Sequence, residues 1–169
     1  MNRLLLACSL LALTAAGDCK EPARLLPKTN VMPLALDDAF SFRKTTNFVN
    51  DPKTWKATAE EMISFERLRV NYGAVTGFDR QQRLGDYYTF MWRSQRPADL
   101  TLRFEYFQEK LGAYVQAQER TYKGAKGNFK SEFSVIGDPY LQDGRVTAWR
   151  AILIENGKIV ALNQSYLWR

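Results

Sequence analysis

The sequence predicts a mainly β fold, in which a two-layer antiparallel arrangement of strands follows one helix. After residue 84, apolar and polar residues alternate along most of the chain, which is the period of β-strands. An earlier segment has the 3.6-residue period of a helix instead. Near the C-terminus, Asn156 and Gly157 separate two apolar runs, as in a two-residue hairpin. Together these observations predict about six strands in one compact domain.

The N-terminal 18 residues have the features of an export signal. Arg3 precedes an apolar run from Leu4 to Ala16, which is 13 residues long. A membrane-spanning helix needs about 20 apolar residues, so this run fits a removable signal better than a membrane span. We therefore assign residues 1–18 to a signal peptide and expect the rest of the chain to work outside the cytosol.

The residues at the end of this signal resemble a known class of export signal. The stretch 15–19, Ala-Ala-Gly-Asp-Cys, resembles the lipobox of bacterial lipoproteins, although Asp18 and Ala16 depart from the usual residues. The resemblance covers only the signal. It implies that Cys19 is lipidated, that a lipid holds the chain on a membrane, and that the protein resides in the periplasm or cell envelope. Conventional cleavage after Gly17 is the alternative.

The segment that follows the signal has no sustained period. Residues 19–36 contain three prolines, and we predict that they form an extended tether. A single β-rich domain is then expected over residues 37–169. Phe40 and Phe42, two positions apart, predict a short edge strand within residues 37–48.

One helix is predicted near residues 59–72. Thr58 and Glu61 have the spacing of a capping box, and Gly73 suits a left-handed stop. Apolar residues recur along it at spacings of three and four, so we expect one face to pack against the core. The residues of this face are Met62, Phe65, Leu68 and Tyr72.

The strands are predicted from alternating apolar residues. Two strands separated by a turn at Pro97 should bury Tyr88, Phe90, Trp92, Leu100, Leu102, Phe104 and Tyr106. Two more, near 113–122 and 129–136, flank a turn at 123–128. In the last hairpin, the turn should place Leu153 opposite Val160. These elements fit an immunoglobulin-like β-sandwich, and the alternative is an α+β fold with the helix across one antiparallel sheet.

The residue types present exclude several kinds of catalysis. The chain has no histidine, which excludes Ser-His-Asp and Cys-His catalysis and the usual histidine-rich zinc sites. It also lacks the glycine-rich phosphate loops. We therefore assign no catalytic residue, no metal site and no cofactor. The alternative that remains is a small carboxylate-dependent hydrolase of polysaccharide or peptidoglycan, with Glu105 or Asp138 as candidate acids.

Three groups of residues could contact a ligand or partner. The loop between Gly137 and Gly144 places an aromatic ring between two carboxylates. Two further aromatic residues are predicted to lie outside the core, and two arginines lie in the connection after the helix. The candidates are Arg80, Arg83, Tyr87, Asp138, Tyr140, Asp143 and Trp168.

The charge of the chain does not point to a polyanionic partner. The formal net charge is +6, but basic and acidic residues are interleaved without a long run of one sign. Nucleic acid is therefore not expected as a partner. The sequence favours an exported, membrane-anchored envelope protein with a non-enzymatic binding or structural role, whose partner is an envelope protein or a glycan.

Overall fold

The computed structural model describes residues 22–27, 30–54 and 61–168. The elements in chain order are β1 (Arg24–Leu26), β2 (Phe40–Asn50), a 3-10 turn (Pro52–Thr54), α1 (Glu61–Asn71), α2 (Gly77–Gln81), β3 (Gly85–Gln108), β4 (Val115–Ile136), α3 (Asp138–Asp143), β5 (Val146–Glu155) and β6 (Lys158–Gln164). Every pairing between these strands is antiparallel. The predicted mainly β class is therefore confirmed. The signal, Cys19 and Thr58 lie outside the described residues.

β3 and β4 form one long hairpin that folds over on itself. The ring centroids of Tyr88 and Phe104, both on β3, lie 4.8 Å apart. A straight strand would separate these residues by about 50 Å, so β3 must bend back. The bend coincides with register irregularities between Ser94 and Leu100, next to Pro97, which cannot donate to the ladder. The turn predicted at Pro97 is therefore a bend within one strand.

β4 bends opposite the bend of β3. The segment 123–128, predicted as a turn between two strands, lies inside a single strand, in which Ala125 pairs with Ala98. Gly127 has a φ of 104°, which glycine adopts without the steric cost of a side chain. The prediction of two separate strands is therefore wrong here, because glycine allows the strand to change direction without ending.

The folded hairpin divides the six-stranded sheet into two layers. β2, the first half of β3 and the last half of β4 form the first layer. β1, the first half of β4, the second half of β3, β5 and β6 form the second layer. The predicted core residues are all buried, namely Tyr88, Phe90, Trp92, Leu100, Leu102, Phe104 and Tyr106. This arrangement is consistent with a β-sandwich.

The described part of the predicted tether lies along the second layer. β1 pairs with β4, and Leu34 forms a parallel bridge with Ile159. We call residues 30–37 the strap. Within the strap, Met32 packs against the outward-facing Ile152 and Ile154 of β5. The strap thus covers apolar side chains that would otherwise face water.

The last hairpin has the predicted turn but not the whole predicted register. Asn156 and Gly157 have φ values of 49° and 73°, as a type I′ turn requires. Beyond the turn, Leu153 pairs with Ala161 instead of Val160, because β6 carries one extra residue in a bulge. The bulge allows the adjacent Val160 and Ala161 to enter the same core.

α1 forms where the sequence predicts a helix, but it is oriented differently. Its predicted core face points to solvent, with side chains between 63% and 84% exposed for Met62, Phe65, Leu68 and Tyr72. The opposite side of the helix contacts the sheet: Val70 is buried, and the side-chain amide of Asn50 donates to Asn71 at 3.2 Å. The prediction that this face packs on the core is therefore wrong.

Candidate binding surface

The segment between Gly137 and Gly144 forms α3 and closes one end of the core. Gln108 Nε2 donates to the carbonyls of Pro139 (3.0 Å) and Gly144 (2.8 Å). Tyr140 is buried, and its hydroxyl donates to Asp51 Oδ2 at 3.1 Å. Much of the polar surface of this segment is therefore bound by the protein itself.

The two carboxylates of this segment do not converge with others on a metal position. Asp138 is exposed and accepts a hydrogen bond from Gln82 Nε2 at 3.1 Å. Asp143 is half-buried, and its backbone carbonyl accepts from the amide of Lys110 at 3.0 Å. Within residues 22–27, 30–54 and 61–168, no group of three or more His, Cys, Asp or Glu side chains could hold a metal ion.

Of the candidate contact residues after α1, Arg83 and Tyr87 make contacts within the protein, and Arg80 is exposed. Arg83 Nη1 donates to the carbonyls of Val70 (2.9 Å) and Tyr72, which satisfies the C-terminal end of α1. Tyr87 is half-buried, and its hydroxyl donates to the carbonyl of Arg83 at 2.8 Å. Arg80 is exposed on α2. Arg83 and Tyr87 therefore hold α1 against the sheet.

Trp168 lies beside a buried group of charged side chains. Its ring centroid is 4.7 Å from that of Phe107, and the Arg150 guanidinium lies 4.8 Å from its ring. Arg150 in turn donates to Glu105 Oε2 from Nη2 at 2.5 Å and from Nε at 3.0 Å. Trp168 therefore shields one side of an ion pair.

The charged group, Arg103, Glu105, Glu119 and Arg150, lies on the outer face of the second layer. The other oxygen of Glu105 is 3.7 Å from Arg103 Nη1, and Arg103 Nε donates to Glu119 at 2.6 Å. Glu105 is only 3% exposed, although its alternation with apolar residues predicts a solvent-facing position. Part of the cover comes from the strap, because Arg103 Nη1 donates to the carbonyl of Asn30.

A small cavity borders this charged group. Its volume is about 240 Å³, and its walls include Met32, Ile152, Glu105 and Arg150. Ligand pockets usually measure about 300–1,000 Å³. Because both oxygens of Glu105 face arginines, the carboxylate is not presented to this cavity as an unpaired acid. The geometry gives the candidate acid Glu105 no support as a catalytic group.

A second buried carboxylate lies near α3. Asp86 is 2% exposed and accepts the backbone N–H of Val146 at 2.8 Å. Burial raises the pKa of Asp86 to about 6, while the Val146 N–H and Arg145 act in the opposite direction. The alternation of the sequence does not single out this residue, because Asp86 lies at the end of an otherwise apolar strand face.

An unexplained feature of the surface is a group of exposed apolar residues. The exposed residues of α1 are followed by Val75 in the connection and Phe78 on α2, which are 81% and 68% exposed. We define the apolar stripe as Met62, Phe65, Leu68, Tyr72, Val75 and Phe78. Its three aromatic side chains alone expose roughly 300–500 Å², if each has about 150–250 Å² of surface. Exposed apolar surface of this amount within residues 62–78 is typical of interaction sites.

Polar contacts hold the helices that carry the stripe in place. On one side of α1, Arg69 lies 3.7 Å from Glu132 of β4. α2 begins with a capping box in which Thr76 and Asp79 bond each other's backbone amides. α1 is thus tied to the rest of the protein near its C-terminal end, at Arg69, Val70 and Asn71. The sequence identifies the four residues of the stripe from Met62 to Tyr72 but not their direction, and it does not identify Val75 and Phe78.

No protein-family model matches the chain, and no curated protein or solved structure matches it. In the part of the chain that the structure describes, no helix is both long and apolar enough to cross a membrane. The surface chemistry of the chain itself is therefore the basis for assigning a function.

Proposed function

We propose that the protein is a non-enzymatic component of the bacterial cell envelope, anchored by a lipid on Cys19, that binds another protein through the apolar stripe. One observation carries this proposal: six large apolar residues on α1, on α2 and in the connection between them are each 63–84% exposed. Leaving such side chains in water costs free energy that a contact would recover, at roughly 25 cal/mol per Å² buried.

The composition of α1 favours a protein over a membrane surface or a glycan as the ligand. Helices that lie on membranes carry polar faces rich in Lys and Arg. α1 instead carries two acidic and two basic residues, Glu61, Glu66, Arg67 and Arg69. The spacing of three, three and four residues along its apolar face is that of a helix bound in a hydrophobic groove.

The first described residue lines the same groove as a residue that α1 contacts. Pro22 lines a groove together with Glu132, and Glu132 is 3.7 Å from Arg69 of α1. Cys19 precedes Pro22 by three residues, which can span at most about 10 Å. A lipid on Cys19 would hold the domain at the membrane, where the local concentration of other anchored proteins is high.

Site-specific photocrosslinking in native cells tests the binding role. A photoreactive residue replaces Leu68 in the stripe, and a matched one replaces Thr121, an exposed residue of β4. We expect a discrete protein adduct from position 68 and none from position 121. Adducts only to lipid or glycan at position 68, or equal adducts at both positions, would contradict the proposal.

Mass spectrometry of the protein purified from native cells tests whether a lipid is attached to Cys19. Mass spectrometry should find an N-terminus at Cys19 that carries acyl chains. A full-length chain with an intact leader in the cytosol would overturn the envelope assignment.

A further inference from the structure

We infer that the partner of the apolar stripe is a second copy of this chain, with the two α1 helices antiparallel about a two-fold axis. This inference rests on the proposed function, because it needs the stripe to be a protein-binding surface. It adds the identity of the partner and the geometry of the contact.

The order of the side chains along α1 suits such a pair. Met62 and Tyr72 lie at equal distances from residue 67, and Phe65 and Leu68 lie between them on the same face. In an antiparallel pair centred near residue 67, Met62 would lie opposite Tyr72 of the other copy, and Phe65 opposite Leu68. A two-fold contact requires this kind of self-complementary surface.

The charges along α1 also favour the antiparallel direction. Glu61 lies in the first turn of the helix and Arg69 in the last. An antiparallel pair places the acidic first turn of each helix beside the basic last turn of the other, whereas a parallel pair would bring like charges together. The helix dipoles also favour the antiparallel arrangement. Arg69 already donates to Glu66 of its own helix at 2.8 Å, which orients its side chain.

The size of the surface predicts a modest affinity. A standard stable interface buries about 800 Å² on each partner. Phe65 and Tyr72 expose roughly 200–400 Å², and Met62 and Leu68 add to this. The contact is therefore smaller than a standard interface and predicts a weak, reversible dimer, which a shared membrane anchor would favour by raising the effective concentration.

Chemical crosslinking at chosen positions tests the pairing. In a full chain with Cys8→Ser and Cys19→Ser, single variants Met62→Cys and Tyr72→Cys are treated with a short bismaleimide, alone and as an equal mixture. We expect the mixture to crosslink at least tenfold faster than either variant alone. Thr121→Cys mixed with Tyr72→Cys serves as the control and should not crosslink at this rate.

The alternatives give different results. Fast crosslinking of Met62→Cys alone and of Tyr72→Cys alone would indicate a parallel pair and overturn the antiparallel inference. A chain that sediments as a monomer and does not crosslink would overturn self-association altogether. If such a chain still forms a protein adduct from position 68 in native cells, the inference fails while the proposed function stands.

Sedimentation with a charged substitution adds a second measurement. Leu68→Glu, at a position 74% exposed, should leave the fold intact and shift the chain to monomer. Met91→Glu, on the outer face of the first layer, should leave the dimer unchanged. Equal dimer content in Leu68→Glu and the unmodified chain would contradict the inference.

Discussion

Glu105→Ala is expected to lower the free energy of unfolding by about 1.5–3 kcal/mol, because it removes the charged hydrogen bonds that Arg150 donates to a buried carboxylate. Glu105 is 3% exposed and lies between Arg150 and Arg103. With the carboxylate removed, Arg150, whose side chain is 32% exposed, would keep solvent and the Trp168 ring as neighbours. Denaturant unfolding followed by tryptophan fluorescence measures the loss.

Two further variants distinguish the effect of losing this ion pair from a general loss of stability. Glu109→Ala removes the exposed ion pair with Arg145 and should cost about 1 kcal/mol or less. The double variant Glu105→Leu with Arg150→Met should recover most of the loss, because it removes both charges and keeps the volume. A loss below about 1 kcal/mol for Glu105→Ala would show that the charged group does not hold the strap and sheet together.

Asp86 is expected to make the protein less stable as the pH rises from about 4 to about 6. The folded pKa is about 6 and the ordinary value is 3.8, so the folded state holds a proton that the unfolded state releases. The contribution of Asp86 to stability is therefore greatest below the unfolded pKa and is lost as the pH rises through the folded pKa, by on the order of 2–3 kcal/mol.

Asp86→Asn should flatten this part of the pH profile. The amide oxygen can still accept the N–H of Val146, and the side chain no longer ionises. Above about pH 6 the variant should be more stable than the unmodified chain. Unfolding free energies measured across this range check the prediction, with the exposed Asp138→Asn as a control that should follow the unmodified profile. Parallel profiles for Asp86→Asn and the unmodified chain would contradict it.

The strand faces were predictable because burial imposes a strict period of two. The outer face is unfavourable for Tyr88, Phe90 and Trp92, because it would place three large rings in water. The turn at Asn156 was predictable for a different reason, because few residues tolerate positive φ. Both features are local, and a single sequence contains the information that determines them.

The bends of β3 and β4 were not predictable in the same way. Pro97 and the glycines of residues 123–128 are equally compatible with a turn that ends a strand and with a bend that continues it. Which of the two occurs depends on contacts between the two layers, such as that between Tyr88 and Phe104. Such contacts join residues that are distant in the sequence.

The burial of Glu105 was missed for a related reason. Alternation shows that Arg103 and Glu105 share the face opposite the core, but it does not show that the strap covers this face. The strap comes from residues 30–37, far from β3 in sequence. Likewise, the period of α1 identifies an apolar face but does not show which surface packs against it.

The direction of that apolar face is the central claim, and the unfolding free energies of Phe65→Ala and Phe104→Ala test it most directly. Both variants are measured at sub-micromolar concentration, where a weak dimer has dissociated. Phe104 is fully buried, so Phe104→Ala should cost about 3–5 kcal/mol. Phe65→Ala should change the value by no more than about 0.5 kcal/mol. A cost for Phe65→Ala equal to that for Phe104→Ala would place the stripe in the protein's own core and contradict the account.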